Sequence, residues 1–473
     1  MSPTIIAREH EREILKSCLK SEQSEFVAVY GRRRVGKTFL VKEFFHGAFT
    51  FYATGVLGGT KEVQIANFNE EIANHGGGAF SPAANWHEAF ENLNNLIAQS
   101  PRKEKKVIFL DELPWMDTEK SGLLQALDHF WNRWASTRHD VLLIVCGSAT
   151  SWMLHNLIDN YGGLYNRLTR EIALAPFTLA ECEAYYQHRN VAYTRHQMVE
   201  AYMIFGGIPQ YLRLMDARFS LYQNVDALYF TPNAPLRNEY HTLLRSLFKK
   251  AQSHQLIVEA LASKGTGLTR EELLEKTGLS DGGSFKRSLD DLINNGFIRS
   301  YRAFGKKERG RLYQMVDPFM LFHLRFNEKR ETYNENYWLQ FSPTSAHGAW
   351  SGYAFEQVCL LHIPQIRRGL GVSGVLTEVS SWRSKESDPG AQVDLVIDRR
   401  DNVVNLCEMK YVANEFVIDK AYDAVLRDKR TAFVTETKTR KVVQTTLITT
   451  FGTKHNQYSN AIPSQLTLDA LFT

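Results

Sequence analysis

The sequence predicts an α/β protein whose first part is built on a parallel sheet, and three observations lead there. The apolar run Phe26-Val-Ala-Val-Tyr30 opens directly into the glycine-bracketed segment Gly31-Arg32-Arg33-Arg34-Val35-Gly36-Lys37-Thr38. Short apolar runs then alternate with helical periodicity to about residue 176. In the last third, two more apolar runs carry acids, at Asp394 and at Glu408.

Composition sets the frame. A chain of 473 residues, 44% hydrophobic and 23% charged, is an ordinary globular composition, and its length suggests about three domains. A net charge of +4 permits a nucleic-acid partner without requiring one. Cys18, Cys146, Cys182, Cys359 and Cys407 lie far apart with no C-x-x-C pair, which argues against a disulfide framework or a zinc site. No apolar run approaches the ~20 residues of a membrane span. Charge at Arg8 and Glu9 comes too early for a signal-peptide core, so a cytoplasmic protein with no membrane partner is expected. The histidines show no i, i+4 pair beside an acid, the spacing that would suggest zinc.

Strands are expected near 26–30, 49–54, 106–110, 141–146 and 171–175, with helices near 37–45, 61–74, 86–99 and 121–136. The segment 31–38 reads G-x-x-x-x-G-K-T between strand and helix, the phosphate-binding loop of nucleoside triphosphatases. Its glycines let backbone N–H groups wrap phosphates at a helix N-terminus. Lys37 would reach the β- and γ-phosphates, and Thr38 would ligate Mg²⁺. Val107-Ile-Phe-Leu110 ends in Asp111-Glu112. Asp111 would hold Mg²⁺ through water, and Glu112 would orient or deprotonate the attacking water.

Two further positions carry open alternatives. Ser148 follows the fourth strand beside the acidic pair, where it would sense the γ-phosphate or position the water, or cap the next helix, or both. Arg167, before the fifth strand, is either a finger for the transferring phosphoryl group or an ordinary surface arginine.

Taken together, Arg8-Glu9, GRRRVGKT, VIFLDELPWM (107–116), CGS (146–148), LYNR (164–167) and GGIPQYL (206–212) resemble the archaeal-type ATPases, relatives of STAND ATPases in the AAA-like P-loop group. The resemblance covers roughly residues 4–215 and implies ATP with Mg²⁺ as cofactors. It also implies a sensor role for Ser148 and a γ-phosphate role for Arg167. Gly207, Pro209 and Tyr211 would belong to a nucleotide-responsive helical lid. The family usually has Gly-Pro-Leu-Tyr-Gly-Arg where this chain has Gly-Gly-Leu-Tyr-Asn-Arg; the arginine is kept.

Beyond the lid, a helix over 253–264 is followed by a capping box, Thr269 with Glu272, and by a C-cap at Gly278. A second helix then starts at helix-turn-helix spacing. Residues 299–311 read as a hairpin with a basic tip, a wing with six cations for DNA phosphates. Lys286 and Arg287 on the second helix are offset by Asp290 and Asp291. Contact with duplex DNA and contact with protein both stay open.

Residues 331–473 read as a separate α/β unit. Glu356 on a helix, Asp394 on one strand and Glu408-x-Lys410 on the next form the constellation of PD-(D/E)XK nucleases. Strand alternation points Glu408 and Lys410 to one side. Glu356, Asp394 and Glu408 would hold Mg²⁺, and Lys410 would position the water. Many archaeal-type ATPases resemble this layout, ending in a winged helix and a nuclease-like domain, some without the catalytic residues.

The expected domains are a P-loop ATPase core (1–180), a helical lid (181–248), a winged helix (249–330) and a restriction-endonuclease-like α/β domain (331–473). The expected function is an ATP-hydrolysing switch coupled to DNA binding through the wing and the C-terminal domain, with Mg²⁺-dependent cleavage. The rival is a signalling or scaffold ATPase whose distal domains bind protein. Homo-oligomerisation and the choice of ATP over GTP stay open from sequence.

Overall fold

The computed structural model describes residues 4–101, 104–158, 166–248, 251–305, 311–328, 336–384 and 390–473. The chain divides into two compact units, 1–175 and 176–473.

The first unit holds strands β1 (Glu25–Tyr30), β2 (Phe51–Thr54), β3 (Lys106–Asp111), β4 (Val141–Gly147) and β5 (Arg170–Ala173). They form one parallel sheet in the order β2-β3-β4-β1-β5. All of β3 and β4, and β1 up to Val29, is buried, because helices cover both faces of such a sheet. Trp86–Gln99 packs Phe90, Leu93 and Ile97 into this core, and Trp131 of Leu123–Arg133 meets Phe26 at 5.0 Å between ring centroids. The strands and helices expected from sequence are all present within a few residues. A further helix, Glu9–Lys20, precedes them, and the buried Arg8 before it donates to the Ala175 carbonyl at 2.7 Å. Because β1, β3 and β4 run in parallel, their C-terminal ends meet along one edge, where α/β sheets bind ligands.

The second unit begins with helices Leu179–His188 and Arg195–Phe205, each opened by a capping box, Thr178/Glu181 and Thr194/Gln197. The segment expected to belong to a helical lid breaks a helix at Gly206, φ 62°. It is nevertheless buried: Gly207 accepts from Phe177 N at 2.6 Å, and Tyr211 donates to Glu239 at 2.9 Å inside the core.

Helices Ala251–Ala262, Arg270–Thr277 and Gly283–Asn294 then accompany a small antiparallel sheet. Its strands are β6 (Leu268–Thr269), β7 (Ile298–Tyr301) and β8 (Leu312–Met315), in the order β6-β8-β7. The capping box at Thr269 and the left-handed Gly278 C-cap form as expected. Asp291 turns inward to His254, 3.0 Å from its Nε2, and so does not face outward with the exposed Lys286 and Arg287.

The last sheet comprises β9 (Thr377–Arg383), β10 (Gln392–Arg399), β11 (Val403–Lys410), β12 (Val442–Thr449) and β13 (Ser464–Thr467), in the order β13-β12-β11-β10-β9. The pairs β9/β10 and β10/β11 are antiparallel, whereas β11/β12 and β12/β13 are parallel. Helix Ser345–Leu361 lies against β11, Phe355 meeting Tyr411 at 5.6 Å, and helix Lys420–Thr437 connects β11 to β12.

Candidate functional site

Two polar centres stand out, one in each unit. In the first unit, β1 ends at Tyr30 and the chain turns at Gly31, φ 144°. A Cβ there would lie 2.2 Å from the Leu174 carbonyl oxygen, so glycine is required by close backbone approach. Arg34 (φ 76°) and Gly36 (φ 94°) continue the left-handed turns before helix Lys37–Phe44 begins. Backbone of alternating hand curls its N–H groups into an anion-binding concavity. Arg32 and Val35 are buried, and Arg33 is half-buried.

Lys37 is buried, and its ammonium donates to the carbonyls of Gly31 at 2.9 Å and Arg32 at 3.0 Å. Burial lowers its pKa, against the opposing pull of Glu112 and Asp111. Thr38 Oγ1 donates to Asp111, 2.9 Å from Oδ2 and 3.1 Å from Oδ1. Asp111 is pushed above the ordinary carboxylate range by burial, an effect that the Thr38 bond partly offsets. The buried Cys146 thiol lies near enough to Asp111 to influence its charge, a neighbour the sequence did not reveal. A desolvated ammonium resting on loop carbonyls, beside a hydroxyl–carboxylate pair of hard oxygens, fits a Mg²⁺-bound triphosphate.

Glu112 sits in a left-handed turn, φ 47°. Its carboxylate accepts from Ser148 N at 3.0 Å and from the Ser148 hydroxyl. This corrects one alternative: Ser148 does not cap the next helix, Thr150–Met153, whose N-cap is Ala149. The hydroxyl is committed to Glu112 instead. The parallel β3–β4 register, with Leu110 opposite Val145, makes the two loops neighbours. Arg167 is exposed in the turn before β5. Gly162 to Tyr165 of its motif lie outside the described residues.

In the second unit, Glu356, Asp394, Glu408 and Lys410 come from the helix and strands expected. Glu408 and Lys410 share a side of β11, and Lys410 Nζ lies 3.1 Å from Glu408 Oε1. Glu356 is pushed up to about 8, first by burial and then by the nearby negative charges of Asp394 and Glu408. Asp394 Oδ1 accepts from Gln392 at 2.6 Å. Two residues missed in the sequence come from helix Lys420–Thr437. Lys429 donates to Glu408 Oε2 at 2.8 Å, and Tyr422 donates to Oε1 at 3.0 Å. Burial alone would raise Glu408, but Lys429 and Lys410 hold it below the usual range. These are hard oxygen donors suited to Mg²⁺, although Glu408 is already committed to cations.

Among the described residues, the one set of three His, Cys or acidic side chains whose ligand atoms all approach within 4.8 Å is His241, His323 and Glu328, which tertiary folding assembles. Glu328 Oε2 lies 2.9 Å from His323 Nε2. The amide nitrogen of Asn327 donates to the Arg237 carbonyl and faces His323 Nδ1 at 3.1 Å. That arrangement assigns the ring proton to Nε2, where it serves Glu328, and leaves no lone pair there for a metal.

The hairpin also departs from expectation. Arg299 is not an outward cation. It is half-buried, donates to Gln314 Oε1 at 2.8 Å, lies over the Tyr301 ring at 4.4 Å, and is near enough to feel the charge of Asp394. Phe304 N donates to the Ser381 carbonyl of β9 at 2.8 Å, and its ring meets Phe433 at 4.8 Å, so the hairpin packs on the C-terminal sheet. Arg302 is exposed, while Lys306, Lys307 and Arg309 lie outside the described residues.

The first unit thus has the fold and site of a P-loop nucleotide-binding protein. Residues 6–215 match the family model for an ATPase domain predominantly from Archaea. An uncharacterized protein of Methanocaldococcus jannaschii is 23% identical over 416 residues, which are 86% of this chain and 87% of that one. Among solved structures, the Walker-type ATPase of Pyrococcus abyssi is 18% identical with a TM-score of 0.47, over 68% of this chain and 96% of that one. The ORC1 protein of Aeropyrum pernix, solved in complex with DNA, is 16% identical with a TM-score of 0.36, over 68% and 92%. Among the described residues no helix is long and apolar enough to cross a membrane.

Proposed function

We propose that the chain is an ATP-hydrolysing switch whose distal domains bind DNA and, with Mg²⁺, cut it. The observation that carries the nucleotide half is the linked set Lys37, Thr38–Asp111 and Glu112–Ser148 at one sheet edge. Lys37 binds the β- and γ-phosphates, and Thr38 with Asp111 holds the Mg²⁺, which supplies charge neutralisation on the phosphates. Glu112, oriented by Ser148, positions the attacking water and takes its proton, and Arg167 approaches the γ-phosphate.

On this reading residues 1–180 form the ATPase core, 181–248 the lid, 249–330 a winged helix and 331–473 a PD-(D/E)XK-like domain. The convergence of Glu356, Asp394, Glu408 and Lys410 supports the last assignment. Asp394 and Glu356 would hold a divalent ion, which supplies Lewis acidity at a phosphodiester, and Lys410 would orient the water. DNA contact rests on Lys286, Arg287 and Arg302, and Arg299 belongs to the C-terminal cluster.

The second reading, a scaffold ATPase that cleaves nothing, is favoured by the engagement of both Glu408 oxygens and by the packing of the hairpin on β9. The deciding experiment is cleavage of linear and supercoiled DNA with Mg²⁺ or Mn²⁺, with and without ATP, in wild type, Lys410→Ala and Lys37→Ala. Cutting abolished by Lys410→Ala and altered by Lys37→Ala supports the switch nuclease. No cutting in any arm, with ATP hydrolysis intact, selects the scaffold.

A further inference from the structure

Glu408 is bound as a phosphate would be. One oxygen receives Lys410 at 3.1 Å and the Tyr422 hydroxyl at 3.0 Å, and the other receives Lys429 at 2.8 Å. Lys429 and Glu408 are both largely shielded, with side-chain exposures of 22% and 14%. Tyr422 and Lys429 lie two turns apart on one helix face, so Lys420–Thr437 presents both to β11. Two ammonium groups and a phenol converging on one anion form an oxyanion cradle, and a carboxylate is its occupant here. In this arrangement Glu408 offers its charge to lysines and not to a divalent ion.

We propose that Lys429, with Lys410, is the phosphodiester-binding residue of the C-terminal site, and that it competes with a divalent cation for Glu408 until nucleic acid draws it away. The proposal rests on the reading of Asp394 and Glu356 as ligands of such an ion. It makes the metal and the polynucleotide mutually reinforcing: the phosphate takes the lysines, and Glu408 is released to the ion. Removing the ammonium takes one positive charge from beside the ion, and close charge pairs at partly buried sites change affinity by tenfold or more.

The test is Mn²⁺ titration of the full chain, read by the electron paramagnetic resonance of free Mn²⁺, without nucleotide. It compares wild type, Lys429→Met, Lys429→Arg and Asp394→Asn, each with and without a phosphorothioate DNA duplex. The Asp394→Asn difference isolates this ion from any at the P-loop. Without DNA, Lys429→Met is expected to bind the Asp394-dependent Mn²⁺ at least tenfold more tightly than wild type, and Lys429→Arg to match wild type. DNA should tighten Mn²⁺ in wild type and not in Lys429→Met. Unchanged or weaker binding in Lys429→Met, with ATPase activity and thermal transition retained, overturns the proposal and leaves a structural ion pair. Absence of any Asp394-dependent Mn²⁺ overturns it together with the metal site. The expected Mn²⁺ shifts without DNA cleavage would remove only the nuclease reading.

Discussion

Replacing Ser148 with alanine separates two roles that the site allows. In the structure the hydroxyl meets Glu112 and not a helix end, so on the proposed reading Ser148 acts on hydrolysis by orienting that carboxylate. Glu112 keeps its second bond, from Ser148 N at 3.0 Å, in the variant. The loss is therefore one hydrogen bond to a charged group, about 1.5–3 kcal/mol. If all of it falls on the transition state, kcat drops by roughly 10- to 160-fold. Nucleotide affinity should stay within about twofold, because the phosphates are held by the 31–38 loop. The assay is steady-state ATP hydrolysis with fluorescent-nucleotide binding, in Ser148→Ala, Glu112→Gln and the double variant. A serine that acts only through Glu112 adds nothing to Glu112→Gln, so the double variant should match that single one. Additive losses, or weaker nucleotide binding in Ser148→Ala, would refute the reasoning and place the hydroxyl on the nucleotide.

Thr38→Ala should bind nucleotide in chelator as well as wild type does but lose the gain that Mg²⁺ brings, by at least about tenfold; an unchanged Mg²⁺ effect in the same binding assay counts against the Thr38–Asp111 pair as the ion's ligands. For Glu356, the folded pKa of about 8 lies above the ordinary 4.5, so the folded chain holds a proton that the unfolded chain releases. The resulting destabilisation is absent below pH 4.5, grows between 4.5 and 8, and levels off above, at roughly 3–5 kcal/mol. Urea unfolding in EDTA should therefore show Glu356→Gln gaining on wild type as pH rises through that window, and parallel curves would contradict it. Gly207→Ala places a Cβ 1.9 Å from the Phe177 carbonyl oxygen. It should cost at least about 2 kcal/mol in the same unfolding assay, and a neutral effect would show that this buried contact yields easily.

Chemistry was legible in the sequence where it is contiguous or set by strand alternation. Gly31 to Thr38 form one contiguous loop and helix start, Asp111-Glu112 end a strand, and Glu408 with Lys410 needs only a period of two. What escaped depends on pairing between distant segments. The choice of Glu112 over a helix N-cap for Ser148 follows from the β3–β4 register, which residue types do not encode. Lys429 had a signal, its two-turn spacing from Tyr422 on the helix after the E-x-K strand, but lysines on amphipathic helices are usually solvated. Arg299 had none: its basic neighbours made it look like a wing cation, and only packing of the hairpin on β9 turns it inward.

The two centres share one device with different consequences. Lys37 rests on neutral carbonyls of its own loop, so a triphosphate displaces dipoles and gains the full charge interaction. Lys410 and Lys429 rest on a carboxylate, so an incoming phosphodiester must displace one anion by another. Exchange of like charges is nearly neutral in energy, whereas filling an uncharged cradle is strongly favourable. On the proposed reading the nucleotide site is therefore ready to load at rest, and the C-terminal site is not. A divalent ion that captures Glu408 tips the second exchange, so DNA and metal succeed there together or not at all. On the same reading, that asymmetry would let a chain with a nuclease-like cluster hold ATP continuously without exposing an armed phosphodiesterase.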